Sequence, residues 1–162
     1  MKKALVVIDI QNDYFPGGAF TLENADEACT GAVQAIEQAK RDGWLVVGVQ
    51  HVSAPDAPLF KPDTEGVKIH STIAAALGDA PIVVKSEADS FFKTNLEQIV
   101  RDAGITDIYL TGMMTHHCVT HTALSAQAHD MNVHIIAKGC AAPAQALSDL
   151  ALKGLSARCN VV

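Results

Sequence analysis

The chain has 162 residues, of which 49% are hydrophobic and 19% charged, and this balance excludes intrinsic disorder and favours a single domain over residues 1–162. The formal net charge is -6, and the lysines and arginines are scattered, which excludes a basic surface for nucleic acid or for an anionic membrane. Charged residues or glycines interrupt every apolar run before the roughly 20 residues that cross a bilayer, so no membrane partner is expected.

Apolar β-branched runs alternate with segments of helical spacing along the chain. Asn24, with Glu27 three residues later, is typical of a helix cap. In chain order the pattern predicts strand 4–10, helix 24–43, strand 44–51, helix 71–77, strand 82–85, helix 94–103, strand 105–112, helix 117–131, strand 133–138, helix 143–153 and strand 155–161. The irregular stretch 52–70 holds three prolines and is a candidate lid or contact surface.

Strands that are apolar on both faces and alternate with helices indicate right-handed crossovers. The predicted fold class is therefore α/β, with three layers: a mostly parallel sheet of about six strands and helices on both faces. At the amino end, Asp9 interrupts the apolar run 4–8 before it reaches the length of an export signal, so a cytoplasmic protein is expected. The four cysteines lack paired spacing such as CxxC and are predicted to be free thiols.

Ligands of such sheets bind beyond the carboxyl ends of the strands. Asp9 follows the first predicted strand, His51 the second and Lys85 the third. The segment after the fourth strand ends in Cys118. An acid, a base and a thiol are therefore predicted to share one edge of the sheet.

These residues suit acyl transfer. A thiol with a pKa of about 8.5 is mostly protonated at neutral pH, so a nucleophilic cysteine needs a cation, a base or a helix N-terminus nearby. Cys118 is predicted in the first turn of a helix, where the helix dipole favours the thiolate, and Lys85 adds positive charge. Asp9 is predicted to accept the proton of the thiol and later to return it to a leaving amine. The backbone amides of Met114 and Cys118 are candidate donors to the oxyanion.

Each residue alone also has a structural interpretation. A buried cysteine more often packs as inert core, an aspartate can cap a neighbouring turn, and a lysine can end a strand in solvent. Their predicted meeting at one edge favours the catalytic interpretation.

Three segments resemble one family, the isochorismatase-like cysteine hydrolases, which include nicotinamidases and carbamoylsarcosine amidases. Segment 4–15 is similar to the family's opening strand, an apolar run into DxQxDF with Tyr14 at the aromatic position. Lys85 with segment 89–96 resembles its lysine segment, and segment 111–123 resembles its nucleophile motif. The resemblance covers nearly the whole chain.

The resemblance implies a triad of Asp9, Lys85 and Cys118, and a cis peptide between Met113 and Met114 that aims the Met114 amide at the oxyanion. It favours cleavage of a small amide or carbamoyl C–N bond through a thioester on Cys118. Vinyl-ether hydrolysis, the reaction of true isochorismatases, is the alternative. A small-molecule substrate, no cofactor and a homo-oligomer are expected.

Two departures from the family pattern limit the prediction. Nicotinamidases share a DxH metal motif after the second strand, whereas Val49-Gln50-His51 keeps the histidine and lacks the aspartate, so nicotinamidase activity is not predicted. The segment Lys138-Gly139-Cys140 stands where many relatives carry an acidic residue, which leaves pocket shape and subunit contacts open.

The candidate substrate-binding side chains near the catalytic segments are those of Tyr14, Phe15, Phe91 and His117. For the three aromatic residues, packing in the core is the alternative. His116, His117 and His121, with His51, suggest a metal site, but the spacing does not require one, and we predict no metal. Cys140 and Cys159 are expected to be buried filler.

Other functions remain as alternatives. A receiver-like binding module also places an aspartate and a lysine at strand ends, but it needs an acidic cluster for Mg²⁺, which Asp9 and Asp13 match only sparsely. A dinucleotide-binding domain needs GxGxxG after the first strand, and this turn lacks it. A catalytically silent scaffold would leave the intact triad without a role.

Overall fold

The structure is a computed structural model that describes residues 2–162, and it confirms the α/β fold class. The strands are β1 (Lys3–Ile8), β2 (Leu45–His51), β3 (Ile82–Lys85), β4 (Asp107–Met113), β5 (Asn132–Ala141) and β6 (Asn160–Val161). The helices are α1 (Ala25–Arg41), α2 (Ser71–Leu77), α3 (Leu96–Asp102), α4 (Thr120–Ala128) and α5 (Gln145–Leu155).

All six strands are parallel in one sheet with the order β3-β2-β1-β4-β5-β6. Successive side chains of a strand point to opposite faces, and β1 shows this directly. Leu5 and Val7 pack in the apolar cluster with α1 and α2, whereas Val6 and Ile8 pack in the cluster with α3, α4 and α5. The sheet is thus covered on both faces, as predicted.

The far edge of the sheet differs from its prediction. Strand 155–161 was expected there, but α5 continues through Leu155, the chain then turns, and β6 is only two residues long. β5 extends beyond the predicted end at residue 138 to Ala141, with a shift of register against β4. At this edge of the sheet, apolar residues therefore indicate which positions are buried better than they indicate where a strand begins and ends.

The start of α1 also differs in detail. Asn24 has left-handed backbone, with φ 60°, and its side chain makes no capping hydrogen bond. Its amide donates instead to Gln145 Oε1 at 2.8 Å, so a contact between distant segments replaces the predicted local cap.

Gly112 brings the ends of β1 and β4 together. It has φ +133° and is paired in register with Ile8. A Cβ at this position would lie 2.0 Å from the Ile8 carbonyl oxygen, so only glycine permits this approach. Asp9 and the segment after β4 consequently leave the sheet side by side. Within residues 2–162, no helix has the combination of length and apolarity needed to cross a membrane.

Candidate active site

The strand order brings the predicted catalytic segments to one edge. β2 lies between β3 and β1, and β1 pairs with β4 on its other side. Lys85, His51 and Asp9 therefore occur at neighbouring strand ends, and the segment after β4 adds Cys118. This juxtaposition follows from parallel topology, because the carboxyl ends of parallel strands face the same way.

Asp9, Lys85 and Cys118 are in mutual contact. Lys85 Nζ lies 2.9 Å from Asp9 Oδ2 and 3.3 Å from Cys118 Sγ. The side chains of Asp9 and Lys85 are fully buried, and Cys118 is only 2% exposed. The three residues that the sequence singled out thus form one buried cluster.

Asp9 carries two unusual features. Its backbone is left-handed, with φ 53°, a conformation that non-glycine residues seldom adopt and that concentrates at functional sites. Both carboxylate oxygens are buried without a well-aligned hydrogen-bond donor, so the contact with Lys85 is an ion pair. Burial raises the pKa of Asp9 above its ordinary value, and the neighbouring Lys85 charge only partly opposes this.

Cys118 lies in a π-helical turn, not in the α-helix that was predicted to begin at residue 117. This turn spans Thr115–Val119, and α4 begins only at Thr120. Within the turn, the amides of His117 and Val119 donate to the carbonyl of Met114 at 3.1 and 3.3 Å. Single wide turns of this kind are frequent at functional sites.

The electrostatics of the thiol include a strong effect that opposes the thiolate. Burial, followed by the charge of Asp9, raises the pKa of Cys118 to about 12, and the opposing effect of Lys85 is smaller. The sequence predicted a cation and a helical turn near the sulfur but could not show how completely the sulfur is removed from water. Burial therefore favours the protonated thiol over the thiolate.

More hydrogen-bond acceptors surround the ammonium group of Lys85 than it has hydrogens to donate. Besides Asp9 and Cys118, its Nζ contacts the carbonyl oxygens of Glu87 at 2.8 Å and Ala88 at 3.3 Å. It also lies 3.0 Å from His51 Nδ1. Five acceptors around three N–H groups hold the cation in place and leave some of them only partly satisfied.

His51 belongs to the same cluster, although the sequence analysis left it out of the catalytic set. It is paired in register with Lys85 on the neighbouring strand, and its Nδ1 lies 3.8 Å from Asp9 Oδ2. Burial, then the charges of Lys85 and His117, lowers the pKa of His51 to about 4. The imidazole is therefore neutral at physiological pH. The strand order was the signal that would have identified it.

Gln11 explains how the position of His51 is fixed. Its side-chain amide is completely buried and donates to the His51 carbonyl at 2.8 Å. The His51 amide donates back to Gln11 Oε1 at 2.9 Å. A second hydrogen bond from Gln11 Nε2 to the Val67 carbonyl, 2.7 Å long, ties the irregular segment 52–70 to the same point.

Asp13 fastens that segment from the other side. Its two carboxylate oxygens accept hydrogen bonds from the amide of Ala19 at 3.1 Å and from the amide of Phe60 at 2.8 Å. The three polar residues of the DxQxDF motif therefore have different roles: Asp9 enters the cluster, whereas Gln11 and Asp13 hold the loops beside it. Whether segment 52–70 acts as a lid stays a prediction.

The predicted substrate-binding residues are distributed unevenly around the cluster. The exposed His117 has its Nδ1 3.7 Å from Cys118 Sγ. Tyr14 is buried close enough for the charges of Asp9 and Cys118 to reinforce burial in raising its pKa. Phe15 packs on the ring of His70 and Phe91 stacks on that of His129, and both phenylalanines belong to the buried apolar clusters. A substrate role for these four residues stays a prediction.

Within residues 2–162, one group of potential metal ligands has its atoms close together. Donor atoms of Asp9, His51 and Cys118 all lie within 4.8 Å of one another. The Lys85 ammonium contacts the same three side chains, so a metal ion there would compete with a fixed positive charge. The ring centres of the predicted cluster are 6.3 Å apart for His116 and His117 and 5.4 Å apart for His117 and His121.

The remaining predicted features are placed as follows. The peptide bond between Met113 and Met114 is cis. Cys140 and Cys159 are buried free thiols. Lys138, at the position where many relatives are acidic, is exposed on β5 and donates to Gln34 Oε1 of α1 at 3.2 Å.

Comparisons with known proteins show the family of the chain. The isochorismatase domain model matches residues 3–162. The uncharacterized isochorismatase family protein YddQ of Bacillus subtilis is 35% identical over 92% of this chain and 83% of its own length. A nicotinamidase of Escherichia coli is 28% identical over 85% of this chain and 82% of its own.

A solved structure gives the same result. The putative isochorismatase hydrolase from Oleispira antarctica superposes with a TM-score of 0.93 at 29% identity, over 99% of this chain and 92% of that chain. With the family model, this similarity shows that the chain belongs to the isochorismatase family of hydrolases.

Proposed function

We propose that the protein is a cysteine-dependent hydrolase that cleaves a small amide or carbamoyl C–N bond through a thioester on Cys118. One observation carries the proposal: a carboxylate, an ammonium and a thiol from three separate segments touch one another in a buried cluster. A core has no packing reason to bury these three groups together.

The raised pKa of the thiol is compatible with a nucleophile because the cluster conserves its charge during proton transfer. If Cys118 lost its proton to water, the buried cluster would gain a net negative charge, which burial opposes. If the proton moves from Cys118 to Asp9, the negative charge moves from oxygen to sulfur and the total is unchanged. Burial raises the pKa of both groups, so it penalises the first route and not the second.

The reaction proposed on this basis has two halves. Cys118 Sγ attacks the carbonyl carbon while its proton passes to Asp9, and the carbonyl oxygen takes up the negative charge. The C–N bond then breaks, Asp9 returns the proton to the departing nitrogen, and the acyl group stays on sulfur. A water molecule, deprotonated by Asp9, hydrolyses the thioester and releases the acid and the thiol.

Lys85 and the backbone complete the proposed machinery. Lys85 keeps a positive charge beside both places where negative charge resides, on Asp9 and on Cys118. The amides of Met114 and Cys118 are the proposed donors to the oxyanion; Met114 immediately precedes the π-helical turn that contains Cys118, and its carbonyl accepts a hydrogen bond from Val119 of that turn. Preorganised donors in a site without water contribute strongly to such reactions.

The substrate is proposed to be a small molecule, because Cys118 is only 2% exposed and a bulky group would not reach it. The E. coli relative, a nicotinamidase, supports an amide substrate class. The proposal also includes that the chain is a single domain, that it acts in the cytoplasm and that it forms a homo-oligomer. A receiver-like module is disfavoured because both oxygens of Asp13 accept backbone hydrogen bonds, which leaves Asp9 without a second free carboxylate for Mg²⁺.

The proposal is tested by measuring ammonia or amine release across a panel of small amides and carbamoyl compounds. The native chain and Cys118→Ala are compared, with Cys159→Ala as the matched control at a buried cysteine outside the cluster. We expect activity on at least one compound that Cys118→Ala loses and Cys159→Ala keeps. Ammonia or amine release that survives Cys118→Ala would overturn the role of the thiol and transfer the proposal to a mechanism without it.

A further inference from the structure

His51 is held in one orientation next to the thiol. Its backbone is fixed by the reciprocal hydrogen bonds with the buried Gln11 side chain. Its ring lies 5.6 Å from that of Phe60, which packs on it at a tilt of 38°. The side chain is 15% exposed, so part of the ring is accessible to solvent. A group fixed this firmly and still accessible is suited to contacting a ligand.

The contact with Lys85 determines which ring nitrogen carries the proton. An ammonium group can only donate, so His51 Nδ1, 3.0 Å from Lys85 Nζ, must accept. A neutral imidazole that accepts at Nδ1 carries its hydrogen at Nε2. The neighbouring charged and titratable groups are Asp9, Lys85, His117 and Cys118, and none of these described neighbours accepts a hydrogen bond from Nε2.

We infer that His51 is a substrate-binding residue whose Nε2–H donates a hydrogen bond to an acceptor atom of the substrate, either a carbonyl oxygen or a ring nitrogen, beside Cys118. The inference rests on the proposed function, because it takes Cys118 as the reacting group. It adds a recognition element to the triad: substrates carry an acceptor next to the bond that is cleaved. A donor that is neutral and fixed favours uncharged acceptors over cationic groups.

The inference is tested with two alkylating reagents, of which only one carries a hydrogen-bond acceptor, and their rate ratio is compared between variants. Iodoacetamide carries a carbonyl acceptor and iodomethane carries none, and the rate of Cys118 modification by each is followed by mass spectrometry. His51→Gln keeps an acceptor for Lys85 and an N–H donor. His51→Met has a side chain of similar length but provides neither an oxygen or nitrogen acceptor nor an N–H donor. His134→Leu, at the opposite end of the sheet, is the matched control.

We expect the ratio of the iodoacetamide rate to the iodomethane rate to fall about threefold to tenfold in His51→Met, the range of one hydrogen bond. The ratio should stay within about twofold of the native value in His51→Gln and in His134→Leu. A merely structural role would change both rates together and leave the ratio unchanged, and that result would overturn the inference.

A measurement on the native chain covers the case in which His51→Met does not fold. ¹⁵N chemical shifts of the histidine rings, with the His51 signals assigned by their loss in His51→Gln, should show the Nε2–H tautomer at pH 7. An imidazolium or an Nδ1–H tautomer would overturn the inference. The two failures are distinguishable: hydrolysis that survives Cys118→Ala removes the proposed function and the role of His51 that rests on it, whereas an unchanged reagent ratio with thiol-dependent hydrolysis removes only the role of His51.

Discussion

Asp9 Oδ2 and Lys85 Nζ form an ion pair of 2.9 Å in which neither side chain is exposed to solvent. The two residues end strands separated by β2 and are brought together only by the fold. Lys85 also contacts the sulfur of Cys118, so this pair connects the acid to the thiol. Its burial determines how the site responds to mutation and to pH.

Breaking the pair from the lysine side should destabilise the protein strongly. Lys85→Met leaves the Asp9 carboxylate buried without its counter-charge, and we expect a loss of about 3–5 kcal/mol in the free energy of unfolding. Urea denaturation followed by circular dichroism measures it. Lys153→Met, at an exposed lysine of α5, should change stability by less than about 0.5 kcal/mol.

The double variant Asp9→Asn/Lys85→Met provides the matching test of coupling. Because it removes both charges, it should be less destabilised than the sum of the two single variants by about 0.5–3 kcal/mol. Strict additivity would mean that the two side chains do not interact in solution as they do in the structure.

Asp9→Asn should abolish most of the catalysis while keeping the thiol. The amide cannot accept the proton of Cys118, so we expect kcat for the best amide of the panel to fall by about 10²–10⁴. Asp26→Asn, at an exposed aspartate of α1, is the control and should retain native kinetics. Equal activity of Asp9→Asn and the native chain would show that another group takes the proton.

The pH dependence of kcat/KM should have an acid limb set by Asp9. Burial raises the pKa of this carboxyl above 3.8, and the reaction needs its ionised form as the base. Activity should therefore be present above the raised pKa and decline as the pH falls through it. His51, with its pKa lowered to about 4, stays neutral well above that pH.

A pH profile from pH 4 to 8 in constant ionic strength measures this limb. The pH profile of the residual activity of Asp9→Asn should lack this acid limb. A limb that persists unchanged in this variant would assign the titration to a different group.

Two glycines give a contrasting pair of stability predictions. Gly112→Ala would place a Cβ 2.0 Å from the Ile8 carbonyl in a backbone of φ +133°, so we expect a loss of more than about 3 kcal/mol. Gly154→Ala meets nothing within 4 Å inside α5 and should stabilise by about 0.5–1 kcal/mol. Thermal denaturation of both variants separates the effects, and a tolerated Gly112→Ala would contradict the close approach of β1 and β4.

Much of the site could be predicted from the sequence because parallel topology converts strand order into proximity. Asp9 and Cys118 come after apolar strands and Lys85 ends one, so their meeting required that these strands be parallel and lie close together in one sheet. The segment after β4 was also located correctly, although its π-helical turn was predicted as ordinary α-helix, since hydrophobic spacing does not distinguish the two.

Other properties depend on burial and register, which the sequence does not specify. The sequence indicated the Lys85 charge beside Cys118 but not the removal of its sulfur from water, whose effect on the pKa of the thiol is larger and opposite. The contact of His51 with Lys85 required the register of β2 against β3, and the role of Gln11 required the position of a distant loop. The short β6 reflects a helix that continued for two residues beyond its predicted end.

The central claim is that Cys118 forms a covalent bond with the substrate carbonyl. Acid quenching during turnover of an amide that the protein hydrolyses, followed by mass spectrometry of the intact chain and its peptides, tests this directly. We predict an added mass equal to the acyl group, located on the peptide that contains Cys118 and more abundant when the quench precedes substrate exhaustion. Turnover at the native rate with Cys118 unmodified, together with full activity of Cys118→Ala, would contradict it.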